Sequence, residues 1–226
     1  MRFYTGFGIA ANEIKRELAE MSIGVHPQTM QDKIVADDPD YDTMELQNYM
    51  YMVSDPIGTL GELTPNQPWA DKEFKERISN GHLNPGEAYK ERLDVWKEYL
   101  HDGHFSYTYN ERMNWNLPRV IDELRVHPDS RQLFLSIWDP FTDTDRLGSN
   151  MRVPCSLGYL FQLRRCKLNM TYFMRSCDFV THYQNDAYLA VKLLDHVAWS
   201  TGHGVGTFTH YIGSLHVYAK DVKGVF

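Results

Sequence analysis

The chain of 226 residues is poor in cysteine, has no long apolar run and carries no excess of positive charge. Its three cysteines are widely spaced and form neither a disulfide framework nor a Cys-x-x-Cys pair, which points to a reducing compartment such as the cytoplasm. No stretch reaches the roughly 18–20 apolar residues of a membrane span. Met1 to Gly6 lacks the apolar core of a signal peptide. A net charge of −7 argues against a nucleic acid polymer as partner, because phosphate neutralisation needs a basic face. A basic pocket for one phosphate remains compatible with it. Gly-x-Gly-x-x-Gly, the P-loop and the Gly-x-Ser-x-Gly elbow are all missing. His101-Asp102-Gly103-His104 is the one metal-like cluster, and without further ligands at a recognised spacing no metal is expected.

A hydrophobic content of 42% with 13% aromatic residues is enough for a full core in a single domain, 1–226. Residues 54–70 are rich in Pro, Gly, Thr and Asn and begin a loop-and-helix region, 54–104. Apolar periodicity predicts helices at 11–22, 44–53, 71–79, 86–101, 117–126 and 186–200. Ile14, Leu18 and Met21 share a stripe in the first of these, as do Leu93, Trp96 and Leu100 in the fourth. Strands are predicted at 133–138, 156–164, 168–175 and 205–219, the middle pair joined by Arg165-Cys166-Lys167. Helices interleaved with hairpin-connected strands indicate an α+β layer fold.

Chemistry concentrates between Arg131 and Tyr218. Cys155 follows Pro154 just before a strand. It is either an ordinary buried cysteine or a soft nucleophile, since a thiolate attacks carbon readily. Arg175 and Ser176 sit side by side at a strand end, where they suit either a phosphate or a surface ion pair. Arg131 could be a second phosphate ligand. Asp186 stands just before an apolar periodicity, where an N-cap is expected, and could also accept from the exocyclic amine of a pyrimidine. His216 and Tyr218 alternate on the last strand and so share one face, from which they could reach a sugar hydroxyl.

In order and spacing, Pro128 to Tyr218 resembles the thymidylate synthase family, closest to its deoxycytidylate (dCMP) hydroxymethylase branch. The motifs are Pro128-Asp129-Ser130-Arg131, Pro154-Cys155, Arg175-Ser176-Cys177-Asp178, Asn185-Asp186 and Gly213-Ser214-Leu215-His216-Val217-Tyr218. The resemblance implies a thymidylate synthase-like α+β fold, a mixed sheet packed with helices, with one sheet face at a homodimer interface. It makes 54–104 a family-variable insertion. It implies that Cys155 is the nucleophile, that Arg131 reaches the phosphate across the dimer, and that Arg175 and Ser176 also bind it. Asp178 would contact folate and take part in catalysis, and His216 and Tyr218 would bind the sugar.

Glu45, in Glu45-Leu46-Gln47-Asn48-Tyr49, resembles the family's catalytic glutamate, and Tyr109 its proton-handling tyrosine. Where thymidylate synthases carry an Asn that pairs with uracil, this chain has Asp186, which suits the amine and N3 of cytosine. Gln132 replaces a second phosphate arginine, Gln28 stands near where an N-terminal one would fall, and eight residues follow Tyr218, fewer than the family carries over folate.

The expected activity is dCMP 5-hydroxymethylation. Cys155 adds to C6, 5,10-methylenetetrahydrofolate supplies the carbon for C5, and hydration follows. The alternatives are C5 methylation of dCMP, thymidylate synthesis on dUMP, and a folate-independent modification of a cytidylate, with CMP also open as substrate. A catalytically inactive nucleotide-binding protein is the alternative from another class. No membrane or nucleic acid polymer is expected as partner. The resemblance to the dCMP hydroxymethylase branch would imply a bacteriophage source, acting in its host's cytoplasm.

Overall fold

The computed structural model describes residues 1–31, 33–149 and 151–225. A short strand β1 (Arg2–Tyr4) leads into helix α1 (Phe7–Met21). Phe7, Ala10, Ile14 and Leu18 recur every three or four residues and are all buried, so α1 lays one stripe on the sheet. Met21, expected on that stripe, is instead exposed at the helix end. Buried Glu17 is neutralised by Arg2, whose Nε donates to it at 2.6 Å.

Strands β2 (Ile23–Val25), β3 (Thr29–Met30), β4 (Lys33–Ile34) and β5 (Thr43–Val53) follow. The helix expected over 44–53 is therefore a strand. Tyr49, Tyr51 and Val53 alternate inward, and the full run pairs antiparallel with 208–218. Met, Leu, Glu and Gln favour helix weakly, and a long pairing partner overrides that preference.

Helix α2 (Trp69–Arg77) agrees with expectation, whereas 86–101 does not form one helix. It breaks into single turns at 88–92, α3 (Leu93–Trp96) and 97–99, leaving Leu93 exposed. Trp96 turns out of phase because it stacks on Trp69 at 6.1 Å. Then come α4 (Tyr109–Met113), α5 (Asn116–Val126), β6 (Phe134–Ser136) and the short α6 (Thr142–Asp145). The hairpin β7 (Ser156–Arg164) and β8 (Lys167–Asp178), helix α7 (Tyr183–Ser200) and strand β9 (Gly204–Tyr218) complete the chain order.

The main sheet runs β1-β5-β9-β8-β7-β6, with β2 added on β5. Helix α7 is the crossover between β8 and β9, which lie parallel, while β9 is antiparallel to β5. Ala187, Ala190, Leu194 and Val197 bury one face of α7 on the core. Asp186 is not the N-cap: His182 holds that place, and the Asp186 N–H already donates to His182 O at 2.9 Å. A β-bulge between Ser156 and Gly158 bends β7 immediately after Cys155. Gly158 is required there, because a Cβ would stand 2.6 Å from Leu135 O.

Candidate active site

The ends of β8 and β9, the start of β7 and the first turn of α7 converge on a cavity of about 300 Å³. Helix α2, α4 and the 88–99 turns close its far side. Cys155 lines it, half-buried. Two donors converge on its sulfur, Gln31 Nε2 at 3.6 Å and Arg175 Nη2 at 3.8 Å. Arg175 also donates from Nε to Pro154 O at 2.9 Å and from Nη2 to Val153 O at 3.3 Å. Its guanidinium thus ties the loop that carries Cys155 to the end of β8. It is not among the cavity-lining residues, whereas neighbouring Ser176 is.

Parallel pairing of β8 with β9 sets Ser176 beside Ser214 and Asp178 beside His216. Asp178 lines the cavity and accepts the Val180 N–H at 2.9 Å, which fixes the turn into α7. His216 and Tyr218 both face the cavity, their rings 5.0 Å apart at 74°. Burial lowers the pKa of His216, and Asp178 opposes that shift. Helix α7 brings Asp186 into the same space. Burial pushes its carboxyl up to about 7, with Arg77 and the Cys177 thiol opposing. That thiol donates to Asp186 Oδ2 at 3.8 Å, and burial holds it protonated well above its usual range.

Tyr109 opens α4, whose start is fixed by a capping box between Thr108 and Glu111. Its hydroxyl lies 2.8 Å from Ser156 Oγ, and the Arg77 guanidinium stands 3.7 Å above its ring.

Cys155, Ser176, Asp178, Asp186, His216, Tyr218 and Tyr109 are therefore brought together. Glu45 is not. It lies on β5 opposite His216, and its carboxylate accepts from Ser214 Oγ, which also contacts His216 Nδ1 at 3.3 Å. Arg131 is exposed, away from the cavity of its own chain. His101 and His104 pair as an isolated bridge across a tight turn.

Several residues that sequence reasoning passed over line the cavity. Glu73 pairs with Arg77 at 2.8 Å, an i,i+4 spacing visible on α2. Gln31, three residues beyond Gln28, reaches the sulfur. Arg152 is boxed by Trp96 and Tyr99 at 4.9 and 4.4 Å. Arg152 Nε, Trp96 Nε1 and Gln31 Oε1 are buried without a hydrogen-bond partner. No local sequence signal marks that box.

The geometry combines a thiol held by two donors, a carboxyl poised near neutrality, and hydroxyl and imidazole groups on one wall. A profile of the thymidylate synthase family matches residues 43–225. A Methanosarcina barkeri protein, provisionally named a thymidylate synthase, is 34% identical over 153 residues, covering 60% of this chain and 69% of its own. A Methanothermobacter marburgensis protein with the same provisional name is 29% identical over 189 residues, 80% of each chain. The thymidylate synthase of Oenococcus oeni is 28% identical over 155 residues, 69% of this chain and 43% of its own. Over most of its length, from the strand that carries Glu45 to the last turns, the chain belongs to the thymidylate synthase family.

Proposed function

We propose that the protein is a dCMP 5-hydroxymethylase, built as one domain and working as a homodimer. The observation that carries the choice of base is Asp186. Its Oδ2 is occupied from behind by the Cys177 thiol, and its carboxyl is pushed up to about 7. In the neutral form its O–H donates to N3 of cytosine, to which it can also pass the proton as an amide cannot, while its other oxygen accepts from the 4-amino group. The relatives carry thymidylate synthase names, so uracil is the competing base.

Cys155 attacks C6. The C6–S bond forms and the C5–C6 π electrons move into the ring, where a carboxyl donating to N3 stabilises them. Gln31 and Arg175 hold the sulfur before attack and receive it again when it leaves. Ser176, with Arg131 of a second copy, takes the phosphate, while His216 and Tyr218 take the sugar. Glu45 acts behind them by orienting Ser214 and His216. Glu73 and Tyr109 line the base end and handle water and protons there, the task that the resemblance gave to Glu45.

The unpartnered Arg152 Nε and Trp96 Nε1, beside a stacked aromatic wall, fit a flat heteroaromatic ligand with acceptor atoms, as a folate is. When bound, 5,10-methylenetetrahydrofolate supplies a one-carbon unit. Asp178, Trp96 and Arg152 are the residues that would hold it.

Mass spectrometry of the product from dCMP and methylenetetrahydrofolate tests the proposal. A gain of one formaldehyde unit is expected. A gain of one methylene means methylation instead, and conversion of dUMP alone means thymidylate synthesis. Product without folate would remove the cofactor from the scheme. Binding of dCMP without turnover would leave an inactive nucleotide-binding protein.

A further inference from the structure

Behind Tyr109 lies a line of hydroxyls that the reaction above does not use. Tyr109 Oη is 2.8 Å from Ser156 Oγ, which is 2.5 Å from Tyr172 Oη. Ser156 is fully buried next to Cys155, on the bulged start of β7. The Tyr172 ring is clamped between Tyr159 at 4.5 Å and 14°, and His210 at 4.8 Å and 11°. The far end of the line therefore cannot swing. The Tyr159 hydroxyl adjoins the same pair, and of these four residues Tyr109 is the one that lines the cavity.

Each hydroxyl donates once and accepts at its lone pairs, so the line can run in either direction. In one direction Tyr109 donates to Ser156 and shows lone pairs to the cavity; in the other it accepts and shows its O–H. We infer that Ser156 and Tyr172 are positioning residues that fix the Tyr109 hydroxyl at the reacting ring and let it accept or donate there. The inference rests on the nucleotide-modifying reading. It goes beyond that reading by giving the residue after the nucleophile a task of its own.

The test is tritium release from 5-tritiated dCMP by wild type, Ser156→Ala, Tyr172→Phe, Tyr109→Phe and the Ser156→Ala/Tyr109→Phe double variant, with thermal melts alongside. Misplacing a reacting group by about an ångström costs up to about 10²-fold. Ser156→Ala is accordingly expected to lower kcat by roughly 10- to 100-fold with KM within about twofold, and Tyr172→Phe to act in the same direction. The double variant should be no slower than Tyr109→Phe alone, because Ser156 acts through that hydroxyl.

Wild-type kcat in both Ser156→Ala and Tyr172→Phe, or losses that multiply in the double variant, would overturn the inference alone. Absence of release from wild type would overturn the underlying reading and this inference with it. If Ser156→Ala does not fold, Tyr172→Phe, which keeps the ring clamp, decides.

Discussion

Under the proposed function, one carboxyl, that of Asp186, both selects the base and sets a pH dependence. Its pKa in the fold, about 7, stands above the ordinary aspartate value of 3.8. The fold therefore favours the neutral form. This group's contribution to stability is therefore most favourable below about pH 4 and is lost as pH rises through about 7. The stability difference between wild type and Asp186→Asn, measured by denaturant unfolding, should fall across that window and be flat above it. Subtracting one protein from the other removes the opposite trend from buried His182, which burial lowers to about 4. In catalysis, kcat/KM for dCMP should decline above about pH 7 in wild type and lose that limb in Asp186→Asn. The same variant should shift preference from dCMP towards dUMP by roughly tenfold or more, since mispaired polar groups cost about 1–3 kcal/mol. An unchanged ratio would remove Asp186 from base selection.

Among the elements, the pairing of β8 with β9 aligns Ser176 with Ser214 and Asp178 with His216. That alignment depends on Gly213. A Cβ there would sit 2.8 Å from Arg175 O, a backbone atom that cannot move without shifting Ser176. Gly213→Ala should cost about 1–3 kcal/mol of stability through overpacking and weaken nucleotide binding, read by thermal unfolding and by calorimetry with dCMP. Wild-type values for both would show that the strands absorb the extra carbon.

Much of this was legible in the sequence. The hairpin around Arg165, helix α7 and the ordered run from Cys155 to Tyr218 have strong local patterns, and they bring most of the expected site residues to one cavity. Strand β5 was not legible as a strand, because its Met, Leu and Glu residues suit a helix until β9 pairs with them. Glu45 was misplaced for the same reason. The Arg152 box was invisible because Trp96 and Tyr99 meet Arg152 only through packing of segments more than fifty residues apart.

At the scale of the whole molecule, one face of the sheet is covered by helices. The other carries Phe134, Phe173 and Tyr211 in a line of half-exposed rings, with centroids 6.2 and 6.1 Å apart. In the proposed homodimer this face meets a second copy and brings Arg131 to the neighbouring site. Mixing Arg131→Ala with Cys155→Ala protomers under exchange tests it. A mixed dimer then has one site with both defects and one with neither, so random mixing should restore about a quarter of wild-type activity. If Arg131 serves its own chain, mixing restores nothing.

The strand order has a consequence for how the chain is made. Strand β9 occupies the middle of the sheet, between β5 and β8, yet it is the last strand in the sequence. As the chain leaves the ribosome, β5 must wait with an unpaired long edge until more than 150 further residues have followed it. Meanwhile the β7–β8 hairpin, whose contacts are local, can already form and expose the Cys155 thiol on an unfinished wall. Newly made protein thus passes through a period with an open β edge and a bare thiol, when aggregation and oxidation compete with closure. Slower synthesis at lower temperature, in a reducing cell, should favour soluble product for that reason.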